Sequence, residues 1–286
     1  MHILEQIGIA ELSDELLSFF RSIGVDSIHL ELRGGKPQAG VKVRSTGAAN
    51  STLAQALRAG QDCTEELENA REQIESHGLK LNNVFMSAWQ EITLDEKDAD
   101  EKIGYWCQML ESLGRAGIPC LGWNFKPMGN FRTTSDVGRG GVQYSTFDYE
   151  AFDANRPAPH EPLVSEEQMW QRMETFLRTV IPAAEKAGVR MALHPDDPPI
   201  PEPLGGVAQI CSTLAQFRRT LFEIAPSHSN AMLFCQGCMT ELLGPEGIYD
   251  AIAEMASADK IAWVHFRNVR GQLPRFTEVF IDEGEV

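Results

Sequence analysis

Residues 165–199 read SEEQMWQRMETFLRTVIPAAEKAGVRMALHPDDPP. The apolar residues of the first part recur with the 3.6-residue period of an amphipathic helix, and Ser165 with Gln168 three positions on has the spacing of a capping box. The helical pattern stops at a glycine, and a short apolar run, RMAL, follows and ends in the polar HPDDPP. Helix, glycine, buried strand and polar strand end make one unit of an α/β chain. The same grammar extends in both directions. LSDELLSFFRSIG precedes IHLEL (28–32), CTEELENAREQIESHG precedes LNNVFM (81–86), and EKIGYWCQMLESLGRAG precedes CLGWNF (120–125). Downstream, STLAQFRRTLFEIAP precedes AMLFCQ (231–236) and EGIYDAIAEMASADK precedes IAWVHF (261–266). With the opening HILEQIG the chain carries seven predicted strands, and short apolar runs alternating with helices predict a parallel sheet, closed as a barrel or doubly wound. Ser13 and Ser212 or Thr213 are placed to cap helices, and Gly78 to end one.

A chain of 286 residues with 43% hydrophobic and 23% charged residues has the composition of a globular protein with a sizeable core. Its 25 Lys and Arg against 41 Asp and Glu leave a net charge of −16, and no local basic patch relieves that field, which argues against nucleic-acid and anionic-membrane partners. No secretory signal pattern opens the chain and no apolar run spans a bilayer, so a cytoplasmic location is expected. Six cysteines without dense spacing read as reduced thiols. No composition shift marks a boundary, so residues 1–286 read as one barrel domain, with long polar loops at about 34–61 and 128–162. GRGG (138–141) lacks a Walker lysine and reads as a mobile loop, and the nucleotide-binding and serine-hydrolase motifs are missing.

The polar residues that stand out lie where predicted strands end, which is the catalytic rim of a parallel α/β fold. His194 ends the fifth strand, Cys235 the sixth and His265 the seventh. Neighbouring parallel strands run about 4.8 Å apart, so two imidazoles and a thiolate at equivalent positions can converge on one metal ion. Taken singly, each is more often a hydrogen-bonded core residue; the three together are harder to dismiss. Asn124 and Arg132 follow the fourth strand, where an amide and a guanidinium could hold a substrate or could equally cap backbone and meet solvent. Strand alternation places Arg267 on the face of His265, with Asn268 beside it. His29 and Glu31 share a face of the second strand and read as an interior pair more readily than as a catalytic base. Cys235 and Cys238 form a C-x-x-C, a weak signal for redox or zinc chemistry without a second such pair.

HPDDPP (194–199), FCQG (234–237), VHFRNV (264–269) and WNFKP (123–127) followed by Arg132 resemble, in order and separation, the mannonate dehydratase family. The resemblance implies a TIM-like (β/α)8 barrel of the xylose-isomerase-like kind that dehydrates D-mannonate to 2-keto-3-deoxy-D-gluconate in hexuronate breakdown. It implies His194, Cys235 and His265 as ligands of Mn2+ or Fe2+, a sugar-acid substrate held among Asn124, Arg132, Asp196, Arg267 and Asn268, and a homo-oligomer. A thiolate ligand independently disfavours magnesium and calcium.

Family members carry an eighth strand with an Asp-His pair, the Asp a fourth ligand and the His implicated in proton transfer, and no Asp-His dipeptide occurs in these 286 residues. The catalytic residues are therefore unassigned, and the expectation is a barrel truncated before its eighth strand, a fragment in preference to a naturally shortened relative. Such a chain is expected to bind Mn2+ weakly and turn over mannonate negligibly. The tail after VHFRNVRG reads as too short for another βα unit and loop-like, with Asp282 no ligand. Two rival functions stay open: a metal-dependent sugar isomerase or epimerase on the same barrel, disfavoured because such enzymes recruit several carboxylate ligands, and a non-catalytic sugar-acid-binding or assembly protein.

Overall fold

Each of the seven apolar runs forms a strand within a residue or two of its expected limits. A computed structural model of the chain describes residues 2–32 and 52–286, so most of the loop expected at 34–61 lies outside the described residues. The chain divides into two compact units, residues 1–123 with 176–191 and residues 124–175 with 192–286.

In the first unit β1 (Leu4–Gly8), β2 (Ser27–Glu31), β3 (Lys80–Phe85) and β4 (Cys120–Trp123) lie side by side in that order, all parallel. The register sets Ile7 against Leu30, Leu30 against Val84 and Val84 against Leu121. Every residue of β2 except Glu31 is buried, as expected for a parallel strand covered on both faces. Between them run α1 (Asp14–Ser22), α2 (Thr52–Arg58), α3 (Thr64–Ser76), α4 (Gln90–Thr93) and α5 (Ala99–Arg115). Ser13 caps α1, accepting from the Leu16 N–H at 3.4 Å, and Gly78 follows α3 in the left-handed region at φ 74°. Gly114 has a packing reason, since a Cβ there would lie 2.3 Å from the carbonyl oxygen of Ala187. Trp106 stands edge-on to Trp89 and Phe176 at 5.3 and 5.4 Å, with Trp123 5.3 Å from Phe176. His29 Nδ1 bonds Asn83 at 2.6 Å, and Glu31 accepts from Gln6 at 2.9 Å with His29 Nε2 3.8 Å away, a polar cluster running from the buried His29 and Asn83 to the exposed Gln6.

The second unit holds regular structure where the sequence predicts loops. Residues 128–162 contain three short strands, β5 (Asp136–Val137), β6 (Gln143–Tyr144) and β7 (Thr146–Asp148), and the helix α6 (Tyr149–Ala154); GRGG supplies the turn joining β5 to β6. The helix α7 (Glu166–Ala187) and β8 (Arg190–Leu193) each begin in one unit and end in the other. The capping box at the start of α7 is reciprocal, Gln168 N to Ser165 Oγ at 3.2 Å and Ser165 N to Gln168 Oε1 at 2.9 Å. Thr213, not Ser212, caps α8 (Leu214–Arg218), which is followed by a wider turn over Arg219–Ile224. Then come β9 (Asn230–Cys235), α9 (Gln236–Ser257) and β10 (Ile261–His265), with β9 and β10 parallel.

The tail departs from the expected loop. β11 (Asn268–Gln272) and β12 (Arg275–Val279) form an antiparallel hairpin, and β12 pairs with β7, more than 120 residues earlier in the chain. Phe147, Phe152, Ile200, Leu204, Val269 and Phe276 make the core beneath this small sheet. No helix among the described residues is long and apolar enough to cross a membrane.

Candidate metal centre

Parallel pairing of β9 with β10 sets Cys235 directly against His265, and the Cys235 sulfur lies 3.5 Å from His265 Nδ1. His194 follows β8, and its Nδ1 is 2.6 Å from the carbonyl oxygen of Pro195. A carbonyl only accepts, so Nδ1 carries the proton and Nε2 keeps its lone pair for a ligand. The two imidazole rings stand 6.0 Å apart, centroid to centroid. Donor atoms of His194, Cys235 and Cys238 all lie within 4.8 Å of one another. The residues expected from three strand ends are thus brought together, with one addition, Cys238.

Cys238 comes from the first turn of α9, whose N-cap is Cys235. Both thiols are buried. Burial pushes the Cys235 thiol up, but the hydrogen bond from Cys238 and the neighbouring imidazoles outweigh it, so the group lies well below the usual thiol range. Burial and the neighbouring Cys235 push Cys238 well above that range. His194 is lowered by burial, which keeps it neutral and able to coordinate. At His265 burial is outweighed by Cys235, and its pKa is raised.

A buried ion network lies behind the thiols. Arg267 Nη1 reaches the sulfurs of Cys238 and Cys235 at 3.4 and 3.8 Å and donates to Asp197 Oδ2 at 3.2 Å, and its Nη2 donates to Glu241. Gly237 gives the guanidinium its room, because a Cβ there would lie 2.8 Å from Arg267 Nε. Alternation does not place Arg267. β10 ends at His265, and Arg267 lies in the junction before β11, its N–H bonded to the His265 carbonyl at 3.0 Å.

Arg132 is drawn into the same network. Its three nitrogens donate to Asp197 at 2.6 Å, to Ser145 Oγ at 2.7 Å and to the Phe131 carbonyl at 2.8 Å, with the guanidinium 5.4 Å from the Phe276 ring. Asp196 turns the other way, accepting from Cys211 N–H at 2.7 Å and Ser212 Oγ at 2.9 Å. Asn268 donates to the carbonyls of Ile281 and Val286, pinning the tail. Asn124 is buried just beyond β4. Of the residues expected to hold substrate, Arg132, Arg267, Asp196 and Asn268 all make side-chain hydrogen bonds within the protein itself.

Cys238, Glu241, Asp197 and Lys126 were not singled out as site residues from the sequence. For Cys238 the signal was the C-x-x-C. Glu241 lies one helical turn after Cys238 and reads as an ordinary helix carboxylate until its complete burial is seen. Lys126 ends the WNFK run, and its positive charge bears on His194, Asp196 and Asp197. No hydrogen bond or ion pair engages it among the described residues. Asp282 pairs with the exposed Arg139 at 2.7 Å.

Against known families, residues 159–286 match the D-mannonate dehydratase (UxuA) model. The chain is related to the mannonate dehydratases. A mannonate dehydratase from Streptococcus uberis is 27% identical over 233 residues, which cover 72% of this chain and 65% of that one. The chain thus spans slightly less than two thirds of the length of that curated mannonate dehydratase. The crystal structure of mannonate dehydratase from Streptococcus suis serotype 2 superposes with a TM-score of 0.78 at 22% identity, covering all of this chain and 79% of that one. A xylose isomerase-like TIM barrel protein from Mycobacterium smegmatis superposes with a TM-score of 0.52 at 11% identity, over 95% of this chain and 73% of that one. The fold is accordingly α/β, of the xylose-isomerase-like TIM-barrel kind. The match to mannonate dehydratases includes every strand end that contributes to the centre.

The charge balance of this relative's centre has a pH consequence. Burial alone would raise Asp197, yet Arg132 and Arg267 hold its carboxyl well below the usual range. A carboxylate with a depressed folded pKa contributes stability that is present above its unfolded value of about 3.9 and is lost as pH falls toward the folded one. Asp197→Asn should therefore flatten the fall in stability below about pH 4, measured as urea midpoints through the acid range. Equal slopes in the two proteins would contradict the pairing.

Proposed function

We propose that these residues form the metal- and anion-binding part of a lyase that dehydrates D-mannonate to 2-keto-3-deoxy-D-gluconate with a divalent metal, Mn2+ or Fe2+, held by His194, Cys235 and His265. What carries the reading is the β9–β10 register that sets Cys235 beside His265, with His194 in reach of the same point. The donor set fits a transition ion: one imidazole is locked with Nε2 free, and one thiol is held toward its anion. When bound, such an ion polarises a sugar acid's carboxylate and acidifies the adjacent C–H.

The chain's own residues prepare the surroundings. Arg267 donates to the Cys235 sulfur and fixes its orientation, while Asp197 and Glu241 hold Arg267. Burial of Asp197, Glu241, Cys235 and Cys238 keeps water from the back of the centre and strengthens these contacts. Arg132 holds Asp197, so it acts at one remove from a substrate. Lys126 makes no hydrogen bond or ion pair among the described residues, and a sugar acid's carboxylate is a charge it suits.

Calorimetry of the chain with Mn2+ or Fe2+ and D-mannonate tests this reading. Metal should strengthen D-mannonate binding, and a product, where formed, should be the keto acid lacking one water. Cys235→Ser should weaken metal binding by at least about 100-fold, since losing even an outer partner of a ligand costs 10–100-fold. An isomeric product without loss of water would reassign the centre to an isomerase or epimerase. Sugar-acid binding indifferent to metal would leave a binding protein in its place.

A further inference from the structure

Cys238 has the surroundings of a ligand and not of a packing cysteine. A buried structural thiol ordinarily lies among apolar side chains. This one lies within 4.8 Å of donor atoms of both Cys235 and His194, 3.4 Å from the Arg267 guanidinium, and within reach of Asp197 and Glu241. Its placement follows from the helix. Cys235 ends β9 and caps α9, so the residue three positions on returns after one turn to the same side as the cap.

We propose that Cys238 is a ligand of the same ion as Cys235, completing a two-sulfur, two-nitrogen set with His194 and His265 that takes a thiophilic divalent ion, zinc foremost. The proposal rests on the metal-centre reading above and goes beyond it in ligand number and metal class. Around a tetrahedral zinc, bond lengths of 2.0–2.3 Å set neighbouring donors about 3.3–3.8 Å apart. The Cys235–His265 contact of 3.5 Å already matches such an edge, and His194, Cys235 and Cys238, whose donor atoms lie within 4.8 Å of one another, need to close by no more than about 1.5 Å. Two thiolates and two neutral imidazoles balance a dication, and Arg267 with Arg132 matches Glu241 and Asp197. The guanidinium N–H aimed at both sulfurs supplies the outer hydrogen bond that thiolate ligands take. A tetrahedral S2N2 set favours zinc; among the two ions named above it places Fe2+ ahead of Mn2+, and magnesium and calcium are disfavoured because they prefer oxygen.

The test is zinc K-edge X-ray absorption on the whole 286-residue chain, loaded with ZnCl2 and freed of excess metal. Two sulfur neighbours at about 2.3 Å with nitrogen at about 2.0–2.1 Å are expected. A single sulfur overturns the proposal and leaves the centre of His194, Cys235 and His265 standing. No sulfur, or no bound zinc, overturns both. A second measurement uses Co2+. Cys238→Ser should cut the thiolate-to-cobalt absorption to about half and narrow the preference for zinc over manganese; an unchanged band would overturn the assignment. Should Cys238→Ser fail to fold, judged by circular dichroism, the sulfur count of the unaltered protein decides.

Discussion

Arg267→Ala should destabilise the protein by about 3–5 kcal/mol in urea unfolding, the range for breaking a buried ion network by removing one partner. Arg267, Asp197 and Glu241 are all buried, and two atoms, Asp197 Oδ1 and Glu241 Oε2, have no hydrogen-bond partner among the described residues. Without the guanidinium, Asp197 keeps Arg132, but Glu241 loses its ion-pair partner and the two sulfurs lose their N–H donor. The charge left behind makes the loss large, more than any favourable energy of the pair itself. Arg267→Met combined with Glu241→Leu should recover part of the loss, because it removes both charges and fills their volume. A cost below about 1 kcal/mol for Arg267→Ala, the scale of an exposed pair, would show that the network is open to water.

Phe176→Ala should cost about 3–5 kcal/mol by removing the ring that joins two tryptophans. Phe176 is fully buried, with Trp106 at 5.4 Å on one side and Trp123 at 5.3 Å on the other. The cavity would be walled by rigid indoles, which relax little, so the cost belongs at the upper end of the range for large-to-small changes. Phe176→Leu should recover most of it, since it refills much of the volume. The substitution lies in the first unit and should leave metal uptake at the centre proposed in the second unit unchanged at temperatures where the variant is folded. Metal loss in parallel with the stability loss would contradict that separation.

His194, Cys235 and His265 were legible because a parallel α/β chain puts its chemistry where strands end, and polar residues after apolar runs are conspicuous there. Glu31 and His29 read as structural in the sequence, and the cluster with Gln6 and Asn83 agrees. Arg267 was placed by carrying strand alternation two residues past His265, but β10 ends at His265 and the rule ends with it. Asp196 and Asp197 are neighbours in sequence with opposite fates, one tied to Cys211 and Ser212 and the other to Arg132 and Arg267. Nothing local distinguishes two adjacent aspartates in a loop. The hairpin of β11 and β12 was missed for a similar reason, since its third strand, β7, lies in a segment with no strand signal of its own.

The sequence by itself determined the alternating α/β order, the helix caps at Ser13 and Ser165, the strand ends that face the chemistry, and the relation to mannonate dehydratases. These follow from period, spacing and short motifs, which are properties of neighbours along the chain. Only the tertiary structure decided that Cys238 lies beside Cys235 and His194, that Arg132 and Arg267 serve a buried carboxylate pair, and that the tail forms a sheet with β7. Those outcomes depend on which groups share a dry interior. The energy of a buried charge or thiol is set by partners that the fold brings from distant positions, and no window of sequence contains them.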